Sequence, residues 1–186
     1  MRWERLFGDL EAELEAVEAA ELESEIAERT RSERARLRLV DRLRGSVGRS
    51  VVLRVSGVGQ LIGEIRAVGA DWLLVRPEDG ADRLVRSAAL LELTGLAASS
   101  AAAGSEGAVA ARFSLSAVLR GLARDRTVVT ITLVDGSART GTVEIAGADL
   151  VEISDRRHDE PGFAGPLEAT VRRCVPLVAL AVIREH

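Results

Sequence analysis

The sequence predicts a mainly β protein with helices: a long N-terminal helix, then two five-stranded bent β-barrels, each led by a helix. Three observations carry that expectation. Residues 9–44 contain neither proline nor glycine and are rich in Glu, Ala, Leu and Arg, all good helix formers. From Ser50 onward short runs of Val, Ile and Leu are cut by Gly, Pro and Asp turns, the signature of short strands. Finally, the pattern of residues 63–75 returns at 141–153 without a gap.

The helical stretch sorts its charges. Asp9 to Glu28 holds nine acidic residues and no basic one, whereas Arg29 to Arg44 holds seven Arg against Glu33 and Asp41. Acid early and base late suits the helix macrodipole, with Asp9 as N-cap and Gly45 as stop. A thin apolar stripe runs through Leu10, Leu14, Val17, Leu22 and Ile26. Two readings stay open: a solvated helix lying on the barrels, or a coiled coil with a second copy, acidic half against basic half.

Strands follow at 51–55, 60–68, 72–76, 83–86 and 90–93, with turns at Gly57-Val58-Gly59, Gly69-Ala70-Asp71 and Pro77-Glu78-Asp79-Gly80. The stretch 97–111, AASSAAAGSEGAVAA, reads as a linker. Ser114 is the expected N-cap of a short helix reaching about Ala123. The expected organisation is a charged helix at 1–33, a first barrel with its leading helix at 34–96, the linker at 97–111 and a second barrel at 112–186.

Gly63, Gly69, Ala70 and Asp71 match Gly141, Gly147, Ala148 and Asp149 at one offset. Val85 to Leu93 likewise corresponds to Val175 to Ile183. Mid-strand Gly63 and Gly141 suit a sharp bend, and Gly69 and Gly147 suit turns of positive φ. The second copy alone carries a long insertion, Ser154 to Arg173, and a long loop on a compact scaffold is where function often sits.

A helix, a mid-strand glycine, a turn, an apolar third strand and a short final strand pair together resemble the Sm-like family of SH3-like small barrels. The resemblance covers most of 34–96 and 112–186. It implies assembly into multimers and RNA contacts from the turn at Asp71 or Asp149 and from a basic residue at Arg86. The chain departs from the family pattern at Trp72-Leu73-Leu74, at Leu150-Val151-Glu152, where an Asn is expected, and at Pro176, opposite Arg86 in the other copy.

Composition narrows the function. Of 186 residues 47% are hydrophobic but only 3% aromatic, so the cores are aliphatic. All 25 basic residues are Arg, and the net charge of −4 gives no global attraction to a polyanion. A single cysteine, Cys174, forms no intrachain disulfide and fits a reducing cytoplasm. Met1 to Asp9 is too polar for a signal peptide, and no apolar run approaches the ~20 residues of a membrane span. His158 with Asp155, Asp159 and Glu160 could hold a metal only weakly, since local spacing within one loop is poor evidence of a site, and Cys174 has no neighbouring base.

No enzyme, cofactor or metal site is therefore expected. The expected function is a non-catalytic regulatory or adaptor protein that assembles with itself or a protein partner through helix and barrel surfaces. The alternative is an RNA- or DNA-binding regulator. Its candidate contacts are Arg156, Arg157, Arg172, Arg173, Arg86 and Trp72, with Leu10, Leu14, Val17, Leu22 and Ile26 for helix self-association.

Overall fold

The computed structural model describes residues 21–32, 35, 37–97, 112–156 and 170–186. Leu10, Leu14, Val17, Arg157 and His158 lie outside those residues, as does the linker from 98 to 111. The chain divides after Arg38. Before it, residues 21–32 are helical (α1); after it come helices α2 (Leu39–Arg44) and α3 (Leu115–Arg124) and ten strands. No helix among the described residues is long and apolar enough to cross a membrane.

The strands are β1 (Ser50–Val55), β2 (Gly59–Val68), β3 (Trp72–Pro77), β4 (Arg83–Arg86), β5 (Leu90–Thr94), β6 (Val128–Leu133), β7 (Ala138–Ala146), β8 (Leu150–Arg156), β9 (Thr170–Pro176) and β10 (Leu180–Glu185). All ten lie in one antiparallel sheet ordered β5-β1-β2-β3-β4-β10-β6-β7-β8-β9. Two barrels are therefore not what the chain builds, and a tandem of separate barrels is not its architecture. Closing either half on itself would need β4 to pair with β5, or β9 with β10. Instead β4 pairs with β10, and among the described residues β5 and β9 are the open edges.

Two further expectations are corrected. The helix predicted over 9–44 does not run through, because Leu37 and Arg38 are non-helical and α2 is a separate short helix. Leu43 on α2 is buried in the sheet's first core, which fixes this turn to the strands. Nor do the described residues support a coiled coil. Across 21–32 the large apolar residues are Leu22 and Ile26, both more than half exposed, and one i,i+4 pair is too little for a heptad seam.

Alternation places the core. Val51, Leu53 and Val55 of β1, Leu61 and Ile65 of β2, and Leu73 and Val75 of β3 form the first cluster. Val129, Ile131, Val143, Val151, Ile153, Leu115 and Leu119 form the second. The two halves keep the same internal strand order and the same turn hydrogen bonds. Gly69 N–H donates to Trp72 O as Gly147 N–H does to Leu150 O, and Ser87 N–H donates to Asp71 O as Leu177 N–H does to Asp149 O.

Gly69 and Gly147 do not adopt the positive φ that the turns suggested. Gly69 is required for another reason: a Cβ there would overlap the Trp72 indole. Gly63 does serve close approach, since its Cβ would stand 2.6 Å from Arg76 O. Gly63→Ala is expected to cost about 1–3 kcal/mol through backbone overpacking. Gly147→Ala, whose closest approach is to the Leu150 side chain at 3.2 Å, is expected to cost less. Urea unfolding of the two variants side by side checks the order.

Candidate functional site: the strand joint and the open sheet edges

The joint between the halves is built by an exchange of residues. β4 is only four residues long, yet it pairs with β10 at Val85–Val182, Leu84–Ile183 and Arg83–Arg184. Trp72 and Leu84, from the first half, are buried in the second cluster. Ala181 and Val182, from the second half, are buried in the first. A register shift between Leu180 and Val182 lets one strand feed both cores, so four successive residues of β10 are buried.

Polar groups fix the geometry. Phe113 O accepts from Ala70 N–H at 3.1 Å and from Trp72 Nε1 at 2.9 Å. Asp71 Oδ1 accepts from Leu115 N–H at 2.6 Å, holding the first turn of α3, while Ser114 Oγ caps the same helix from Ala117 N–H. Arg86 donates to Val178 O at 3.2 Å, and Ser56 Oγ to Val134 O at 3.0 Å. The hairpin turns also meet: a Cβ on Gly57 would overlap Leu133 O and stand 2.7 Å from Gly136 N.

These contacts place two sequence-predicted residues. Trp72 and Arg86 both belong to the joint: Trp72 is 6% exposed, and Arg86 reaches a carbonyl across the joint. The sequence did not reveal Asp71 as a helix-holding carboxylate or Gly57 as a turn contact. The repeated Gly-Ala-Asp was the only signal for the former.

The remaining candidates sit at the β9 edge. Arg172 lies opposite Ser154, Arg173 opposite Ile153, and Arg156 opposite Thr170. Arg172 and Arg173 are consecutive in a strand and face opposite sides of the sheet, the first exposed and the second half-buried. Acid offsets base nearby. Glu144 accepts from Ser154 Oγ at 2.7 Å and from Arg126 at 2.8 Å. The Ser154 bond foremost, then the charges of Arg126 and Arg172, hold its carboxyl below the usual range.

Cys174 is exposed on β9, where the matched position of β4 is the buried Leu84. On β5, Leu91 is 59% exposed, where the matched position of β10 is the fully buried Ala181. Thus the open edges present side chains whose internal counterparts are covered. Their backbone groups facing outward have no strand partner among the described residues.

Beside the joint lies a depression of about 240 Å³ floored by Leu74, Leu84, Val118, Leu122 and Ile183, with Asp82 and Glu185 at its rim. Asp82 is already engaged, accepting two bonds of 2.8 Å from Arg76. Comparison of the chain with family models, with curated proteins and with solved structures finds no match.

Two outcomes are expected. Trp72→Ala should destabilise the chain by about 3–5 kcal/mol, whereas Trp72→Phe, losing chiefly the indole bond to Phe113 O, should cost about 1–2 kcal/mol, both read by urea unfolding. Acid should also weaken the fold. Hydrogen bonds from Arg76 to Asp82, from Ala81 N–H and then Arg83 to Asp79, and from Ser137 to Asp135 lower those carboxyls below their unfolded value. Their contribution is present above the unfolded carboxylate range and is lost as pH falls through about 4 toward the folded values. Unfolding midpoints at pH 7, 4 and 3 should fall in that order, and Asp82→Asn should flatten the decline.

Proposed function

We propose that the protein is a non-catalytic adaptor that takes up a strand from another protein chain at the open edges of its sheet, within a reducing cytoplasm. One observation carries the reading. The chain already buries its joint by pairing an edge strand of one half with an edge strand of the other, and β5 and β9 are the matched strands left open. Strand addition satisfies unpaired backbone groups and draws specificity from alternate side chains. Exposed Leu91 and Cys174 supply that apolar contact.

The chemistry of the described surface agrees. The joint depression has an apolar floor, and one of its two carboxylates is spent on Arg76. A nucleic-acid reading draws less support, because Arg86 is used across the joint and Glu144 sits among Arg126 and Arg172. Aromatic platforms for base stacking are scarce in a chain with 3% aromatic residues.

Purification of the chain from its native cells, with and without nuclease, tests the proposal. A stoichiometric polypeptide retained after nuclease is expected. Leu91→Asp or Cys174→Asp would bury a charge in the added pairing, and each is expected to weaken retention at least tenfold while sparing folding, since both residues are exposed. Retention indifferent to both changes, or retention of nucleic acid alone, would sink the reading.

A further inference from the structure

The inference below rests on strand addition at the edges and concerns which chain supplies the strand. A second copy is the obvious donor, because β9 and β5 match β4 and β10. Carrying the internal register outward would set Glu92 against Val175, Leu93 against Cys174 and Thr94 against Arg173. The turns oppose this pairing.

At the internal joint the close approach depends on Gly57, which has φ +71° and no room for a Cβ against Leu133 O. The matched residue on the other hairpin is Asp135, facing Val55 of a second copy. Asp135 has a Cβ and lacks positive φ, since Arg126 is the only described non-glycine residue there. It is also braced in place, accepting from Ser137 N–H at 2.9 Å and from Ser137 Oγ at 2.7 Å. Gly136, whose own Cβ would come within 3.2 Å of Gly57 O, is matched by Val58, and Val58 is packed against the first core.

Three polar ties vanish as well. Arg86 is matched by Pro176, Trp72 by Leu150 and Ser56 by Val134, none of which can donate the side-chain bond its counterpart makes. Overlap of backbone with a Cβ is costly because neither turn can recede without breaking its own bonds. We infer that Asp135 and Val58 bar β9 from joining β5 of a second copy, so that these edges select a strand from a different protein. An open sheet with matched ends would otherwise grow head to tail.

Disulfide trapping reads this directly. In the carried-over register Leu93 is directly opposite Cys174, so Leu93→Cys supplies the missing thiol for an intermolecular bond. Under mild oxidation the Leu93→Cys chain should stay a single chain on a non-reducing gel. The same chain carrying Val58→Gly and Asp135→Gly should form a ladder of linked copies. A ladder of equal yield with the native turns overturns the inference, and so does its absence from the folded glycine variant, whose fold circular dichroism checks.

Sedimentation of the unaltered chain adds a second reading that needs no variant at the turns. Mass constant with concentration is expected. Growth into a series that Cys174→Asp abolishes would overturn the inference. Such growth would still leave the edges competent for strand addition, whereas failure of the adaptor reading shows only in retention of a partner, so the two failures are distinguishable.

Discussion

The fold hangs on β10. This strand pairs β4 on one side and β6 on the other, and its four buried residues divide between two apolar clusters. Trp72 and Leu84 cross in the opposite direction. Neither cluster is complete without residues of the other half, so the two halves are one cooperative body despite their matched strand order. The polar ties from Asp71, Trp72, Arg86 and Ser56 then orient a contact that apolar exchange has made favourable. Their individual worth is about 1 kcal/mol, small beside burial of a tryptophan.

Much of the local structure was legible from the amino-acid order. β4 begins and ends at the predicted residues, and the other four strands of the first half each differ by one residue at one end only. Alternation and turn residues are local signals, and they suffice for local elements. Partnership between strands is not local. Nothing in the period of Arg83–Arg86 says that its neighbour is ninety-odd residues away rather than β5, so barrel closure was inferred where an open sheet forms. The break at Leu37–Arg38 was equally silent, because it contains neither glycine nor proline.

The candidate site was legible in part. Trp72 and Arg86 stood out as differences between the two matched segments, and both prove to be joint residues. Each makes a bond there, the Trp72 indole to Phe113 O and the Arg86 guanidinium to Val178 O. The opposite case is Asp135. As one of 29 acidic residues in a turn it drew no notice. Its meaning appears only when Gly57, at the matched position, is seen pressed against the neighbouring backbone.

The exchange at β10 also sets an order on biosynthesis. A chain made from its N-terminus produces β1 to β5 first, but Ala181 and Val182 of the first cluster emerge last among the described strands. Until then the second cluster lacks Leu180 and Ile183, and β4 pairs only with β3. The first cluster is therefore completed only once β10 has been made. Long-range pairing of this kind is slow to form and exposed to wrong partners meanwhile. The strand that unites the molecule is thus also the one whose late arrival decides when it is safe.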